Sequence, residues 1–254
     1  MPKEVRHNEI LKLLKTERTK VVTVKQICQK CYISESSARR DLKILEEEGL
    51  IKRFHGGAKL IEYEAVSNID KNDVQITVKY QKIVEEAVRE VEKCKTIFLD
   101  ADSLTGFMIP LLAEFNQLTV ITNGINNILA LTQFPKIQTV FIGGYVSKTS
   151  LSTNGYFAWD FIDNFYVDAA FISCHAYDTN IGATEVSEEQ MLLKKKVISQ
   201  SKKTILLCES SKIGKNSPFV VCKPNIPEFL ITDSSISPKE ADKMVQNRIS
   251  FRCV

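Results

Sequence analysis

Serine and arginine side chains are concentrated between residues 34 and 43, near the start of the chain. Serine hydroxyls can hydrogen-bond base edges or phosphates, and an arginine guanidinium can hold a guanine or a phosphate through two parallel hydrogen bonds. The polar and basic residues that could make such contacts are Ser34, Glu35, Ser36, Ser37, Arg39, Arg40 and Lys43. This composition predicts a surface that contacts double-stranded DNA.

A second group of polar residues follows an apolar run that begins at Thr96. Asp100 and Asp102 close that run, and Ser103 and Thr105 come directly after them. Carboxylates beside hydroxyls can bind the hydroxyl groups of a small molecule. Comparable positions at the ends of later apolar runs are Thr122, Asn123, Gly143, Gly144, Gly182 and Lys212. Five such clusters at corresponding places predict one ligand pocket.

Size and composition indicate an ordinary globular protein. The chain has 254 residues, of which 44% are hydrophobic and 26% are charged, enough for a small domain joined to a medium one. No apolar run is long enough to span a bilayer, and the first ten residues lack the apolar core of a signal peptide. We therefore expect a cytoplasmic protein with no membrane partner.

The seven cysteines are scattered without a repeating spacing, which favours reduced thiols over a disulfide framework. Cys28 and Cys31 have the spacing of half a zinc site, but no nearby pair of Cys or His residues completes it. On a helix they share one face, so packing is the preferred interpretation and zinc the alternative.

The net charge of +3 is unevenly distributed. Residues 1–60 contain 14 Lys and Arg against 8 Asp and Glu, whereas the remainder contains 20 against 23. A basic segment on a mildly acidic body suggests that the basic segment contacts a polyanion.

The elements that must position the first group are three helices and a hairpin. An apolar stripe predicts a helix over Arg6–Thr16, Thr23 is expected to cap a second helix, and Ser34 a third that ends at Gly49. Two short helices joined by a tight turn, the second basic in its first turns, are typical of a helix-turn-helix. The hairpin turns near Gly56 and presents Lys52, Arg53 and His55 to the DNA.

The motif S-x-x-x-x-RRDL-x-x-L-E-x-x-G-L-I-x-R-x-HGGA, which runs from Ser34 to Ala58, resembles the N-terminal domain of DeoR-family transcriptional regulators. The family usually has Thr-Ile before the two arginines, where this chain has Ser37 and Ala38. The resemblance implies a winged helix-turn-helix domain over residues 1–60.

The remainder is predicted to be a polar linker over residues 61–80 and an α/β domain over residues 81–254. Apolar strands alternate with helical stretches there, which predicts a mostly parallel, Rossmann-like sheet covered on both faces. The predicted strands are Thr96–Asp100, Leu118–Thr122, Thr139–Gly143, Val167–Ser173, Lys203–Cys208 and Phe229–Thr232. The predicted helices are Gln81–Lys93, Thr105–Glu114, Asn126–Thr132, Gly155–Asn164, Ser187–Ser201 and Pro238–Gln246. Ligands of such sheets bind beyond the carboxyl ends of the strands.

Residues 80–215 resemble the sensor domain of the same family, whose fold is similar to that of ribose-5-phosphate isomerases and CoA transferases. The agreement includes Ile97–Asp100, Lys194 and the Ser211-Lys212-x-Gly214 motif. The resemblance implies a sugar or sugar-phosphate effector, adds Lys194 to the effector-binding residues, and implies a homo-oligomer, a dimer or a tetramer. The chain is thus identified as a member of a family of regulators, and we expect a repressor of a carbohydrate-metabolism operon.

One loop departs from the family pattern. The family usually has Asp-x-Gly-Ser-Thr-Thr, whose helix amides can hold a phosphate, and here Asp102 replaces the glycine. Two like charges ~4 Å apart repel by roughly 4 kcal/mol at an effective dielectric of about 20. One hypothesis is that the effector is a neutral or amino sugar, a polyol, or a phosphosugar in a shifted pose. The alternative is that Asp102 only caps a helix.

A phosphatase of the haloacid-dehalogenase type is the rival interpretation. In it Asp100 is the nucleophile, Asp102 the acid and base, and Asp233 a magnesium ligand. Thr122 would bind phosphate together with Lys202 or one of the lysines 194–196. The Gly-Thr usual after the second Asp is missing, so we expect no enzyme, no cofactor and no metal.

The aromatic residues Phe157, Trp159, Phe161, Phe165 and Tyr166 lie on one helical stretch and are expected in the core or in a subunit interface. His175, at a predicted strand end, is a further candidate for the pocket.

Overall fold

The structure is a computed structural model that describes residues 3–17, 21–47, 51–54, 56–60 and 74–254. The chain divides into two compact units, Met1–Glu64 and Ala65–Val254.

The smaller unit contains three helices and a small antiparallel sheet. Its elements are α1 (Lys3–Thr16), β1 (Val21–Thr23), α2 (Val24–Cys31), α3 (Glu35–Glu47), β2 (Ile51–Phe54) and β3 (Gly57–Leu60). The strands lie in the order β1-β3-β2, and β2 and β3 form the predicted wing hairpin. This is the winged helix-turn-helix that the sequence predicted.

Local capping explains where the helices of this unit begin. The Thr23 hydroxyl accepts a hydrogen bond from the backbone N–H of Gln26, and the Gln26 side-chain oxygen accepts one from the backbone N–H of Thr23. The Ser34 hydroxyl accepts from the N–H of Ser37 at 3.3 Å. Both predicted caps are therefore confirmed. The predicted helix end at Gly49 lies outside the described residues.

The core of the smaller unit is built from the apolar stripes of its helices. Its fully buried residues include Ile10, Leu14, Ile27, Leu42, Leu45 and Ile51. Cys31 is buried in this core and Cys28 packs against it, which agrees with the packing interpretation of the two cysteines.

The larger unit is built on a seven-stranded parallel sheet. Its strands are β4 (Thr96–Leu99), β5 (Thr119–Thr122), β6 (Gln138–Phe141), β9 (Ala169–Ser173), β12 (Thr204–Leu207), β14 (Phe229–Thr232) and β15 (Phe251–Cys253). They lie in the order β15-β14-β12-β9-β4-β5-β6. The first six agree with the predicted strands to within two residues, and the sequence analysis missed β15 at the edge.

Helices cover both faces of this sheet and bury an apolar cluster on each. They are α4 (Val74–Arg89), α5 (Ser103–Gly106), a 3-10 helix (Ile109–Glu114), α6 (Ile125–Leu131), α7 (Tyr156–Ile162), α8 (Glu188–Ser199) and α9 (Pro238–Gln246).

Two helix predictions were wrong in detail. The predicted linker over 61–80 is wrong in its last seven residues, because α4 begins at Val74; residues 61–73 lie outside the described residues. The single helix predicted over Thr105–Glu114 is divided into α5 and the 3-10 helix, with Pro110 in the first turn of the latter. Proline has no backbone N–H to continue an α-helix, so the division falls before it.

Short antiparallel strands complete the larger unit. β7 (Tyr145–Ser147) and β8 (Ser152–Asn154) form a hairpin, whereas β10 (Ala176–Asp178), β11 (Gly182–Glu185) and β13 (Phe219–Cys222) form a second sheet. The sequence analysis missed all five. Strands of three or four residues carry too few positions for an alternation of polar and apolar residues to be recognised.

Candidate functional site

A cavity of about 360 Å³ lies at the carboxyl edge of the parallel sheet. Asp100, Asn123 and Ser173 reach it from the ends of β4, β5 and β9, because the ends of neighbouring parallel strands meet at the same edge. The hairpin of β7 and β8 and the helix α8 supply further lining residues. The predicted position of the pocket agrees with this cavity.

Three buried ionic side chains form the floor of the cavity. The Lys194 ammonium contacts Asp100 Oδ2 at 2.8 Å and Glu185 Oε1 at 2.6 Å, and donates to the Ser173 carbonyl oxygen at 2.8 Å. Asp100 also accepts from the backbone N–H groups of Ser173 and Ala101. All three ammonium hydrogens of Lys194 are thus engaged by protein acceptors.

Charge holds this group together despite its burial. Burial alone would lower the pKa of Lys194, but the carboxylates of Asp100 and Glu185 outweigh burial and raise it above its ordinary value. The lysine is therefore cationic throughout the physiological range, and with two carboxylates the group carries a net negative charge.

Asp102 acts both as a cap and as a wall of the cavity. Its Oδ1 accepts from the N–H of Leu104 at 2.9 Å and so caps α5, as one of the two interpretations expected. The same residue lines the cavity together with Lys212. Burial lowers the pKa of Lys212, but the charges of Asp102 and Glu209 raise it by more, and the Lys212 ammonium lies 3.4 Å from Glu209 Oε1.

Two buried amide side chains lie in the same wall. Asn123 is 2% exposed and Asn154 is 6% exposed. The Asn123 amide nitrogen donates to the Thr153 carbonyl oxygen, and the Asn154 amide nitrogen donates to the Ser152 hydroxyl. Neither amide oxygen has a hydrogen-bond partner among the described residues.

Six of the predicted effector-binding residues line the cavity and five do not. Those that line it are Asp100, Asp102, Ser103, Asn123, Lys194 and Lys212. His175, the further candidate, lines it as well.

The remaining two hydroxyls and three glycines serve the structure around the cavity. The Thr105 hydroxyl donates to the carbonyl oxygens of Asp100 and Asp102, and the Thr122 hydroxyl accepts from the Gly124 N–H and the Asn127 amide. Gly143 and Gly144 lie beside the exposed Phe157 instead, in a separate groove. A Cβ on Gly144 would lie 2.6 Å from the Asn154 carbonyl oxygen.

Gly182, the fifth, is held by a close backbone contact. Its φ is +102°, and a Cβ there would lie 2.0 Å from the Cys222 carbonyl oxygen. The close approach between the backbones of β11 and β13, which are paired in one sheet, therefore requires glycine at this position.

The sequence analysis missed several residues of the cavity, Glu185 above all. It lies at the end of β11, a short strand without a recognisable pattern, and it pairs with a lysine nine positions away. The others include Ser152, Asn154 and Asn126. The one signal in the sequence that could have identified Glu185 is a charged residue directly after the uncharged run at 182–184.

The residues of the rival phosphatase interpretation are not brought together. Asp233 does not line the cavity; its carboxylate accepts from the backbone N–H and the hydroxyl of Ser210 and from the N–H of Ser235. Within the described ranges, no group of three or more His, Cys, Asp or Glu side chains could hold a metal ion.

The smaller unit has its own candidate surface on α3. Ser36, Arg39, Arg40 and Lys43 are exposed along its first turns, and Arg39 lies 3.5 Å from Glu35 one turn earlier. The serines at the start of the helix bond one another, Ser34 to Ser36 at 3.0 Å and Ser34 to Ser37 at 3.1 Å. Of the predicted contact residues, Ser34, Glu35, Ser36, Arg39, Arg40 and Lys43 are exposed on or directly before α3 and Ser37 is half-buried, whereas Arg53 and Gly56 lie on the wing. His55 and the side chain of Lys52 lie outside what the structure describes.

Buried and half-buried charges position that surface. Arg6 on α1 holds Asp41 of α3 through two hydrogen bonds of 2.7 and 2.8 Å, and His7 Nε2 lies 3.3 Å from the same carboxylate. The hydrogen bond from Arg6 lowers the pKa of Asp41. Asp41, the acidic residue of the RRDL motif, is 1% exposed and therefore faces the core of the unit, whereas its neighbour Arg40 is exposed.

The wing is attached to α3 by one carboxylate. Glu46 accepts from the backbone N–H of Arg53 at 2.9 Å and from its guanidinium at 2.7 Å. These hydrogen bonds lower the pKa of Glu46. Arg53, a predicted DNA contact, is thus already partly neutralised, and Gly56 makes the turn with a φ of +92°.

Among the described residues there is no helix that could cross a membrane.

Two family models match this chain, and together they span most of it. The DeoR-like helix-turn-helix domain matches residues 6–64, and the DeoR C terminal sensor domain matches residues 76–234.

Relatives of similar length support the same assignment. The uncharacterized HTH-type transcriptional regulator YulB of Bacillus subtilis is 30% identical over 92% of this chain and 90% of its own. The HTH-type transcriptional regulator GolR of Listeria innocua is 30% identical over 91% of each chain. The glycerol-3-phosphate regulon repressor of Escherichia coli is 23% identical over 92% of each.

Solved structures resemble parts of the chain. A D-ribose-5-phosphate isomerase in complex with phospho-erythronic acid matches 53% of this chain with a TM-score of 0.39 and 16% identity. RipA from Yersinia pestis matches 68% with a TM-score of 0.42 and 13% identity. The match spans about half the length of these proteins, 52% and 48%.

Proposed function

This chain is a DNA-binding transcriptional regulator of the DeoR family, and from that premise we propose how its two units divide the function. The winged helix binds operator DNA, and the cavity of the larger unit binds a sugar or a sugar phosphate that controls the binding. The protein acts as a repressor of genes for carbohydrate metabolism and is not an enzyme. Since its target is DNA, we place it in the cytoplasm.

The observation that carries the proposal is the coexistence of two separate polar surfaces with different chemistry. The α3 surface is basic and exposed, as binding to phosphates and base edges requires. The cavity is enclosed by carboxylate, amide and hydroxyl groups, which suit a small polyhydroxylated ligand.

The effector must favour one arrangement of the protein over another if it is to change DNA affinity. The names of two relatives fit such a role: GlcR of Bacillus subtilis is an HTH-type transcriptional repressor, and the Escherichia coli relative is a repressor of a glycerol-3-phosphate regulon. We propose release of DNA on effector binding for this chain.

DNA reading by repeated half-sites requires more than one winged helix, and we propose a homo-oligomer. The support is an exposed aromatic surface on α7 and β7, formed by Tyr145, Tyr156 and Phe157, which are 68%, 66% and 61% exposed. Their rings contact one another at centroid distances of 5.9 and 6.0 Å. A contiguous apolar surface of this kind is typical of an interface, and a second copy of the chain is the occupant that the half-sites call for.

The interface is tested with Phe157→Glu. Sedimentation equilibrium of the full chain should show a smaller species than the parent protein. The control is Glu114→Gln, a change at an exposed residue of the 3-10 helix. An unchanged mass would remove this surface from the proposal.

The function is tested by selecting duplexes from a random DNA library with the full-length protein, followed by titration of the selected duplex at several salt concentrations. We expect specific binding whose affinity falls steeply with salt, because each lysine or arginine on a phosphate releases a counterion. The double change Arg39→Ala and Arg40→Ala should abolish selection. Binding that neither selects a sequence nor depends on salt would refute the proposal.

A further inference from the structure

The chemistry of the cavity narrows the class of effector, and this inference rests on the proposed function of the site. Two residues that line the cavity, Asn123 and Asn154, have amide oxygens that are themselves buried and lack a hydrogen-bond partner among the described residues. The Thr153 carbonyl oxygen accepts from the amide nitrogen of Asn123, so the orientation of that amide is determined and its oxygen is the free end. A buried acceptor without a donor is costly, so these two amides leave the wall with acceptors that the protein does not satisfy.

Two groups whose N–H donors could hold an anion are already engaged within the protein. Lys194 gives its three N–H groups to Asp100, Glu185 and the Ser173 carbonyl oxygen. The backbone N–H of Leu104, at the start of α5, donates to the Asp102 carboxylate. A phosphate at that helix terminus would have to displace a carboxylate that belongs to the protein.

The balance of charge in the cavity points the same way. Three carboxylates line it, those of Asp100, Asp102 and Glu185, against the ammonium groups of Lys194 and Lys212. Lys212 is in turn shared with Glu209, at 3.4 Å. A phosphate ester brings a charge of about −1.5 to −2 at neutral pH and contributes acceptors in place of donors. It would therefore meet a like charge.

We infer that the effector is an unphosphorylated sugar or sugar alcohol, with or without an amino group. Its hydroxyl groups donate to the carboxylate of Asp102. Asp102 is the residue that selects against the phosphorylated form.

The experiment is isothermal titration calorimetry of the full chain with matched pairs of ligands. The pairs are glucitol, glucose, glucosamine, ribose and myo-inositol, each beside its own monophosphate. At least one unphosphorylated member should bind about tenfold or more tightly than its phosphate, since an uncompensated like charge in a half-buried site has at least that effect.

Asp102→Asn is the informative variant, because asparagine caps a helix as well as aspartate does and only the charge is lost. It should raise the affinity for the phosphate member by about tenfold and change that for the unphosphorylated member by less than about threefold. Asp242→Asn, an exposed site on α9, is the control and should change neither. DNA binding of the unliganded variants verifies that they are folded.

Each result separates this inference from the proposed function. Tighter binding of a phosphate by the parent protein, unaltered in Asp102→Asn, overturns the inference and leaves a sugar-responsive regulator. If no member of the panel binds while DNA binding is intact, the inference falls together with the sugar effector. Failure to bind DNA would refute the regulator and leave the ligand preference to stand by itself.

Discussion

Each of the two units buries a group of charged side chains, and the groups differ in what surrounds them. In the smaller unit Asp41 meets Arg6 and His7, all from the packed faces of α1 and α3. In the larger unit Lys194 meets Asp100 and Glu185 at the floor of a cavity. The first group joins α1 to α3 and leaves the neighbouring side chains of α3 exposed, where they can contact DNA. The second group lines a cavity that a small molecule can enter.

The comparison teaches that burial of charge does not by itself identify a binding site. Both groups have short contacts and acids with little exposed area, yet only one lines a cavity and carries more negative than positive charge. The other is a support for a surface whose contact residues are exposed. Substitutions in each group and on the α3 surface test this distinction.

Replacement of Lys194 by Met would break the larger unit's group. It leaves Asp100 and Glu185 buried without a cation, and loss of one partner from a buried pair costs about 3–5 kcal/mol. Urea unfolding followed by Trp159 fluorescence reports on this unit, which contains the single tryptophan. Lys195→Met, at the exposed next residue of α8, should change the free energy of unfolding by less than about 0.5 kcal/mol. Equal effects of both changes would show that the buried group is not what holds this edge of the sheet.

Asp41→Asn tests the group of the smaller unit. Loss of the charge-assisted hydrogen bonds from Arg6 should cost about 2 kcal/mol, detected in the calorimetric transition of this unit. Effector affinity should stay unchanged, since the change lies outside the cavity. Glu35→Gln, which alters an exposed acid on the same helix, is the control and should have little effect. A loss of effector binding in Asp41→Asn would contradict the separation of roles.

The same group gives a pH dependence of defined sign. Since the pKa of Asp41 is lowered in the folded protein, its stabilising effect is present above the unfolded pKa of about 3.9 and is lost as pH falls through the folded value. Acid titration of the calorimetric transition of the smaller unit should therefore show a loss of stability below about pH 4 that Asp41→Asn lacks. An identical acid profile in the variant would refute this assignment.

Arg40→Ala should leave stability unchanged and weaken DNA binding. Removal of one such contact lowers affinity by about tenfold to a hundredfold, and if the contact is to a phosphate the salt slope falls by about one. Fluorescence anisotropy with the selected duplex measures both. Lys93→Ala removes the same charge from an exposed site of the larger unit. If it weakened DNA binding as much, net charge and not the α3 surface would be responsible.

Glu46→Gln is expected to have the smallest effect. The hydrogen bonds of Glu46 to Arg53 attach the wing to α3 but are exposed, so their loss should reduce DNA affinity by less than about threefold. The same anisotropy assay measures it. A tenfold loss would mean that the wing contributes as much to DNA binding as the recognition helix.

The sequence predicted the elements whose residues satisfy local rules. The caps at Thr23 and Ser34 and the apolar strands of the central sheet were predicted because side-chain hydrogen bonding and hydrophobic periodicity act over a few residues. The helix over 105–114 was predicted without regard to Pro110, and the seven residues from Val74 were assigned to a linker although they are helical. The error at Val74 was made at an element end, where local signals are weakest, whereas the error at Pro110 lies inside the predicted helix.

From the residue pattern alone, the candidate site was predictable only where it follows strand ends, and Lys194 on α8 was added by the family resemblance. Asp100, Asp102 and Asn123 belong to the pattern that places polar residues after apolar runs. Glu185 belongs to a short strand that pairs with distant residues, and no local sequence pattern indicates that Lys194 is its partner.

Local patterns and the rule for parallel sheets were sufficient to predict the class of the protein, its two units and the edge of the sheet at which the cavity lies. Only the tertiary structure decided which polar residues face the cavity and which ones, such as Thr105, Thr122 and Asp41, face inward. The orientation of a side chain depends on partners that are far away in the chain. Contacts between such distant residues form only when the chain has folded.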